Sequence, residues 1–224
     1  MDIKKYLLKK ITPNKPRKIR LIKKLFLDKD SFFVTTGFYL SFLKRVPCRL
    51  VDNKLVYLPW LNLPIIAFLD QRIRKSHKLF EFGCGYSTLY FSNLAKNVVS
   101  VENNLIWFNR ISKMLMQKDI QNVSIIHKEL SNGYAKCIKS FSEEFDIIFV
   151  DGRHRVDCIK NSIGNLSSQG VIILDDAERN KYSNGCDFLQ KNGFRRLDFW
   201  GLKLGATVFK PTTIFYKDNN CLGL

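Results

Sequence analysis

The sequence predicts an α/β protein with a Rossmann-like mixed sheet and an N-terminal extension that is helical or irregular. Apolar runs of strand length alternate with helical segments from residue 78 onward, which is typical of a parallel sheet wound on both faces. A glycine-rich turn follows the first run, and acidic residues end the first, second, fourth and fifth runs. Acids at strand ends meet at one edge of such a sheet, where ligands bind.

We divide the 224 residues into two predicted regions. Residues 1–66 form a basic N-terminal extension, and residues 67–224 form the Rossmann-like domain. Lysine and arginine are dense through residue 24, and Pro13 and Pro16 break this basic arm into two pieces. One interpretation is a solvated helical arm that packs one face on the body. The other is a patch that docks on an anionic membrane or on a polyanion. The net charge of +17 favours anionic partners in general.

The core elements follow from apolar periodicity and turn residues. Pro64 opens a helix that extends to about Ile73, since proline is favoured in the first helical turn. Strands are expected over 78–82, 97–102, 123–127, 145–150 and 171–174, and helices over 87–95, 104–117 and 156–166. The chain closes with two aromatic strands, RRLDFW and TTIFY, which we expect to form a hairpin.

The octet LFEFGCGY is the most specific sign of a ligand site. A strand that ends on Glu81 and turns through Gly83 and Gly85 brings bare backbone close to a ligand, because glycine has no Cβ in the way. The following helix offers its N-terminus to the bound group. The next strand ends on Glu102, where an acid can bind both hydroxyls of a ribose. Thr88 stands where a dinucleotide-binding turn has its third glycine, so the pattern favours another nucleoside-containing cofactor.

The pattern E-x-G-x-G, with an acid at the end of the next strand, resembles the S-adenosylmethionine site of class I methyltransferases. The resemblance implies a seven-stranded sheet whose last two strands are the terminal hairpin. It also implies that the glycine turn lies against the methionine part of S-adenosylmethionine and that the second acid binds the ribose. The cofactor-binding residues that it implies are Glu81, Gly83, Gly85, Ser87 and Glu102.

A second group of acids follows two later strands of the expected sheet. FDIIFVDGRHR contains a strand that ends on Asp151, and VIILDDAER contains one that ends on Asp175 and Asp176. Carboxylates gathered at one edge repel each other unless a positive group lies among them. That group is the sulfonium of the cofactor, a divalent metal ion or a nearby arginine. The alternative is that Asp175 and Asp176 only begin a loop and cap a turn.

Three aspartates from adjacent strand ends offer hard oxygen ligands suited to Mg²⁺ or Mn²⁺. The D-G…D-D pattern also resembles metal-dependent O-methyltransferases that act on sugars of macrolides and related glycans. That resemblance implies metal ligands at Asp151, Asp175 and Asp176, with the metal holding hydroxyls of the acceptor. His154 is a candidate general base, and Asp151 competes with it for this role. The expected acceptor-side residues are Trp60, Arg153, Arg155 and Arg179.

A closer resemblance covers the chain from about Pro59 to the C-terminus. The stretches DGRHRVDC, LDFWG and NCLGL are similar to those of small bacterial and viral class I methyltransferases, which include a sugar O-methyltransferase. The function implied is O-methylation of a sugar hydroxyl in a surface glycan or its precursor. Three alternatives stay open: an RNA or DNA methyltransferase, an O-methyltransferase of small phenols, and a non-catalytic binding module. DGRH stands where base methyltransferases place an N-P-P-Y tetrad, so a nucleic-acid substrate is disfavoured.

The cysteines and the apolar segments indicate the cellular compartment in which the protein is expected. The six cysteines have no C-x-x-C pairs, which argues against a zinc site and against a disulfide framework. A reducing, cytoplasmic setting is the simplest interpretation, with peripheral membrane contact through the arm as an addition. The segment SFFVTTGFYLSFL is too short to span a bilayer, and the N-terminus lacks the features of a signal peptide.

Overall fold

The computed structural model describes residues 48–51, 54–204 and 208–224. One compact unit runs from Tyr57 to Leu224. Both interpretations of the basic arm concern residues outside the described part, and the division at residue 66 stays a prediction. No helix in the described ranges is long and apolar enough to cross a membrane.

Nine strands and five α-helices are present in the described residues. The strands are β1 Cys48–Val51, β2 Lys54–Tyr57, β3 Lys78–Phe82, β4 Asn97–Glu102, β5 Val123–His127, β6 Phe145–Val150, β7 Leu166–Asp175, β8 Arg195–Leu202 and β9 Phe209–Tyr216. The helices are α1 Leu63–Arg72, α2 Tyr86–Leu94, α3 Leu105–Gln117, α4 Arg155–Ser162 and α5 Ser183–Lys191. Short 3₁₀ segments occupy Tyr134–Ser140, Ile163–Asn165 and Asn180–Tyr182.

Strands β3 to β9 form a seven-stranded mixed sheet in the order β5-β4-β3-β6-β7-β9-β8, while β1 pairs with β2. Strand β9 runs antiparallel to both β7 and β8, and the other neighbours in the sheet are parallel. The predicted Rossmann-like sheet and its terminal hairpin are therefore confirmed. The chain winds outward from β3 through β4 to β5 and then starts β6 on the other side of β3. In sheets of this kind, ligands bind where the winding reverses, beyond the C-terminal ends of the strands.

The central strands are buried on both faces, which explains why their sequences are near-continuous apolar runs. In β6 and β7, the side chains of Ile147, Ile148, Ile172 and Ile173 are inaccessible to solvent. Successive side chains of a strand point to opposite faces, so each pair contributes to the core on both sides of the sheet. This burial makes the strand ends a firm base for the site.

The two largest differences between the observed and the predicted boundaries concern α4 and β7. Helix α4 ends at Ser162, short of residue 166, because the chain tightens into a 3₁₀ turn that contains Gly164. Strand β7 then begins at Leu166 instead of residue 171, since Leu166 pairs with Phe145 before the register shifts.

Helix α5 was not predicted, because its sequence SNGCDFLQK is polar and contains a glycine. The buried face of the helix consists of Gly185, Cys186 and Leu189. A Cβ at Gly185 would come within 3.0 Å of the Ile159 side chain in α4. Gly185 thus weakens the helix signal in the sequence, but it also permits the close packing of α5 on α4.

Two turns meet where the winding reverses, one after β3 and one after β6. Gly83 has a φ of +96°, and a Cβ built there would lie 2.8 Å from the Cα atom of Gly152. A Cβ on Gly152 would clash with the Tyr134 hydroxyl and would lie 3.0 Å from the carbonyl oxygen of Phe82, which already accepts a hydrogen bond from the Asp151 N–H at 3.0 Å. The backbones of the two turns are in direct contact, so glycine is required at both positions.

We expect Gly83→Ala to lower the free energy of unfolding by about 3 kcal/mol or more. A positive φ costs an alanine roughly 1–2 kcal/mol, and the overpacked contact adds roughly 1–3 kcal/mol. Gly193→Ala is the matched control, because Gly193 has a φ of +82° with open space at its Cβ position. The control should lose only the conformational part, roughly 1–2 kcal/mol. Urea unfolding measures both variants, and equal losses would contradict the contact.

Candidate active site

A cavity of about 430 Å³ opens where the winding reverses, beyond the C-terminal ends of β3, β4 and β6. Its volume lies in the range of small-molecule sites. The predicted site residues that line it are Trp60, Gly83, Gly85, Ser87, Glu102, Asp151, Arg153 and Arg155. The predicted site residues that do not line it are Glu81, His154, Asp175, Asp176 and Arg179.

Gly85 forms the open part of the glycine turn. A Cβ at this position would meet nothing nearer than Ser87 Oγ at 3.8 Å, so the backbone borders free space. Helix α2 begins at the next residue, Tyr86. The first N–H groups of a helix have no partner within the helix and carry partial positive charge. This wall of the cavity therefore offers backbone donors to a polar or anionic group.

Glu81 lies behind the glycine turn and is fully buried. Its carboxylate accepts hydrogen bonds from the hydroxyls of Ser87, Thr88 and Ser100, and the bond from Thr88 is 2.6 Å long. Burial raises the pKa of Glu81 to about 7, although the three hydroxyls oppose the shift. Glu81 thus joins β3, β4 and the start of α2 and so positions the turn, and its direct contact with a ligand stays a prediction.

Glu102 lies at the cavity wall, where its carboxylate joins two loops. The N–H of Cys84 donates to Oε2 at 2.9 Å, and the N–H of Asn104 donates to Oε1 at 2.7 Å. These bonds hold the carboxylate between the glycine turn and the N-terminus of α3. A carboxylate has about four acceptor positions, and the Cys84 thiol also hydrogen-bonds Glu102, so Glu102 retains capacity for a further donor such as a hydroxyl.

Two aromatic residues, Tyr86 and Trp107, join Trp60 at one side of the cavity. The Tyr86 and Trp107 rings pack edge to face with centroids 6.2 Å apart, and Trp60 lies at similar distances from both. The Arg110 guanidinium lies 5.1 Å from the Trp107 centroid and donates to the Tyr86 hydroxyl at 2.6 Å. Trp60 is 43% exposed, so its ring is accessible to a ligand.

The carboxylates at the end of β7 are balanced by cations of the chain itself. The Lys203 ammonium donates to Asp175 and, at 3.1 Å, to Asp176. The other Asp175 oxygen accepts from Thr212 at 2.7 Å, and the other Asp176 oxygen accepts from Arg179. Lys203, which also lines the cavity, was not among the predicted residues.

This geometry does not fit a metal site. A divalent cation needs several oxygens that converge on one point, yet both oxygens of Asp175 and of Asp176 already accept from protein donors. The ammonium of Lys203 lies between these two carboxylates, so a second cation would meet its charge. In the part of the chain that the structure describes, no three His, Cys, Asp or Glu side chains are placed to hold a metal ion. The predicted Mg²⁺ or Mn²⁺ ligands, Asp151 included, therefore find no support.

Asp151 lies at the cavity wall, and its side chain is 27% exposed. Arg155 donates to its carboxylate at 2.6 Å and to the carbonyl oxygen of Asp175 at 2.5 Å, which joins the ends of β6 and β7. Burial and the charge of Asp175 raise the pKa of Asp151, while Arg155 and Lys203 oppose the shift. A carboxylate with a raised pKa is a better proton acceptor near neutral pH.

His154 lies in the same loop as Asp151 but borders a different cavity. The residue is exposed, has a φ of +48° and directly precedes α4. It lines a neighbouring cavity of about 350 Å³ together with Arg153, Arg179 and Lys181. The structure thus separates the two candidate bases, because only Asp151 borders the cavity of the glycine turn.

Comparisons with known proteins agree on the fold. No protein-family model matches the chain, and no curated protein matches it in sequence. The precorrin-6y C5,15-methyltransferase of Geobacter metallireducens has a TM-score of 0.55 at 18% identity, over 70% of this chain and 88% of that one. An O-methyltransferase of Bacillus cereus scores 0.56 at 16% identity, over 67% and 78%. An rRNA methylase of Streptococcus thermophilus scores 0.55 at 14%, over 71% and 100%. The chain therefore has the Rossmann-like fold of methyltransferases.

Glu81→Gln should change how the stability of the protein depends on pH. The folded protein, with a Glu81 pKa of about 7, keeps a proton that the unfolded chain loses near pH 4.5. This proton contributes about 3 kcal/mol to the free energy of unfolding. The contribution is fully present below pH 4.5 and is lost as the pH rises to about 7.

The measurement is the free energy of unfolding of the wild type minus that of Glu81→Gln, at several values from about pH 5 to about pH 8. The difference should fall as the pH rises. Glu129→Gln, at an exposed turn, is the control and should show a constant difference. A constant difference for Glu81→Gln as well would contradict a raised pKa of Glu81.

Proposed function

We propose that this protein is an S-adenosylmethionine-dependent O-methyltransferase whose acceptor is a sugar hydroxyl of a surface glycan or its precursor. The observation that carries the proposal is the cavity where the winding reverses, bordered by the open glycine turn, the N-terminus of α2 and the Glu102 carboxylate. The methyltransferase fold supports the same conclusion, and the O-methyltransferase of Bacillus cereus was solved in complex with SAH, the demethylated cofactor S-adenosylhomocysteine.

The residues at the cavity fit S-adenosylmethionine in three respects. Glu102 keeps acceptor capacity for a ribose hydroxyl. Gly85 and the first N–H groups of α2 suit a carboxylate such as that of the methionine part. Trp107, which is partly exposed at the cavity wall, provides aromatic surface for the adenine. When bound, S-adenosylmethionine supplies a methyl group on a positively charged sulfur, which regains the carbon–sulfur electron pair on transfer.

Asp151 is the residue to which we assign the acceptor proton. It borders the cavity of the glycine turn, whereas His154 borders the neighbouring cavity. The hydroxyl proton moves to the Asp151 carboxylate, and the oxygen lone pair forms the new oxygen–carbon bond. Arg155 donates to the Asp151 carboxylate and to the carbonyl oxygens of Gly152 and Asp175, and so holds the base in place.

A sugar acceptor suits the entrance of the cavity. Trp60 is exposed there, and an indole ring provides an apolar face for the C–H groups of a sugar ring. The sequence resemblance to small bacterial and viral methyltransferases supports the same acceptor class. Free thiols support a reducing, cytoplasmic setting. The cysteines whose side chains the structure describes carry free thiols, and they are Cys84, Cys137, Cys158, Cys186 and Cys221.

RNA is the second candidate acceptor. The net charge of +17 and the basic cavity of Arg153, Arg179 and Lys181 favour a polyanion, and an rRNA methylase shares the fold. Residues 151–154 read DGRH, which differs from the tetrad of amino-directed base methyltransferases. Docking of residues 1–24 on an anionic membrane or polyanion is part of the proposal and concerns residues outside the described part.

Transfer of a radiolabelled methyl group onto a panel of acceptors tests the proposed function. The panel contains rhamnosides, other glycosides, RNA and catechols, and each reaction has a control without enzyme. We expect label on one or more glycosides, because the base and the exposed indole suit a sugar hydroxyl. Label on RNA alone would reject the sugar acceptor, and label on catechols alone would favour the small phenols.

Asp151→Asn should lower the rate of methyl transfer by about 10²–10⁴, because the amide cannot accept the proton. SAH should bind this variant nearly as well as the wild type. Asp157→Asn, on the exposed side of α4, is the matched control and should keep the normal rate. In the wild type, the rate should fall as the pH is lowered through the raised pKa of Asp151, because the protonated acid cannot take a second proton.

His154→Ala decides between the two candidate bases. We expect this variant to keep most of its turnover and the pH profile of the wild type, because His154 borders the neighbouring cavity. A large loss of turnover in His154→Ala, combined with normal turnover in Asp151→Asn, would contradict the assignment.

A further inference from the structure

We propose that Lys203 takes the place of a divalent metal ion and contacts the acceptor oxygen during methyl transfer. The proposal rests on the proposed function and adds the source of positive charge beside the acceptor. Lys203 directly follows β8, and its backbone forms an isolated bridge with Asn62. The side chain is 16% exposed and lines the same cavity as Gly85 and Glu102.

The charges around Lys203 explain why an ammonium can replace a metal ion here. Asp175 and Asp176 are almost inaccessible to solvent, and buried carboxylates need a compensating cation. Lys203 forms ion pairs with both. Burial lowers the pKa of Lys203, but Asp175, Asp151 and Asp176 outweigh this effect, so the pKa is raised and the ammonium keeps its charge.

The hydrogen bonds of the ammonium leave one donor for a ligand. Lys203 has three N–H groups, and two of them donate to Asp175 and Asp176. When the acceptor hydroxyl gives its proton to Asp151, negative charge develops on the oxygen. A fixed N–H donor at the cavity wall stabilises that charge, as a metal ion does by direct coordination.

The step is balanced without any further reactant. The oxygen–hydrogen bond breaks and its proton moves to Asp151, which later releases it to water. The oxygen–carbon bond forms as the carbon–sulfur bond breaks, with that electron pair remaining on sulfur. Lys203 keeps all three of its protons throughout and acts only as a hydrogen-bond donor. No group is oxidised or reduced, and no metal ion is consumed or required.

Binding of Mn²⁺ tests the proposal without the need for activity. Electron paramagnetic resonance follows the free Mn²⁺ that remains in solution. Lys203→Met removes the ammonium and keeps the length of the side chain, so it exposes the oxygens of Asp175 and Asp176. We expect Lys203→Met to bind one Mn²⁺ at least about tenfold more tightly than the wild type, because hard oxygen ligands become free. Lys210→Met, which breaks the ion pair with Glu178, is the matched control and should behave as the wild type does.

Methyl transfer is then measured with the same variants. Wild-type turnover should be the same with and without chelator. Lys203→Met should lower kcat by about 10²–10³ with little change in SAH affinity, because the lost donor acts on charge that develops in the transition state. Added Mn²⁺ should restore part of kcat. A purely structural ion pair would leave the kcat of the folded variant near the wild-type value.

Four outcomes would overturn the proposal. The first is tight Mn²⁺ binding by the wild type that Asp175→Asn abolishes, and the second is loss of wild-type turnover in chelator. The third is a folded Lys203→Met variant that binds no Mn²⁺ or keeps normal kcat. The fourth is a variant that fails to fold both with and without Mn²⁺, whereas refolding that depends on Mn²⁺ would support the proposal. If no acceptor is methylated, the proposed function fails, while the Mn²⁺ measurements still decide which cation the aspartates hold.

Discussion

The contact between Gly83 and Gly152 is the constraint on which the rest of the site depends. A Cβ on Gly83 would enter the backbone of the facing turn, and a Cβ on Gly152 would clash with the Tyr134 hydroxyl and press on the Phe82 carbonyl oxygen. The ends of β3 and β6 can therefore meet in this way only when both residues are glycine. Behind this contact, Glu81 ties β3 to β4 and to α2 through three hydroxyls. Gly85 and Glu102 are therefore held at the cavity wall by a rigid frame, which is the preorganisation that binding and catalysis need.

Charge balance within the chain is the second organising feature. The three aspartates at the ends of β6 and β7 would repel each other, yet each accepts hydrogen bonds from a cation of the protein. The two cations Arg155 and Lys203 have different roles. Arg155 holds the ends of two strands together, while Lys203 borders the cavity with an N–H group to spare. The proposed chemistry thus combines the carboxylate base Asp151 with the fixed ammonium of Lys203. Both charges are supplied by side chains of the protein, without an added ion.

Features that depend on local sequence patterns, such as strand bounds and the glycine turn, could be predicted from the sequence. The bounds of β3, β4 and β6 were predictable because strands buried on both faces read as continuous apolar runs, and the glycine turn was predictable because it follows one of them. The role of Glu81 was not predictable, because the motif does not reveal that hydroxyls from α2 and β4 donate to its carboxylate oxygens. Lys203 had no local signal, because it reaches Asp175 across 28 residues through the pairing of β7, β9 and β8. Trp107 was hidden in the same way, among the ordinary apolar residues of α3.

Binding of SAH is the measurement that tests most directly whether the cavity between the glycine turn and Glu102 holds S-adenosylmethionine. Calorimetric titration should show binding to the wild type and to the control Glu129→Gln. Binding to Glu102→Gln should be weaker by about tenfold or more, because each charge-assisted hydrogen bond to the ribose contributes roughly 1.5–3 kcal/mol. No binding to the wild type, or equal affinity for wild type and Glu102→Gln, would contradict this assignment.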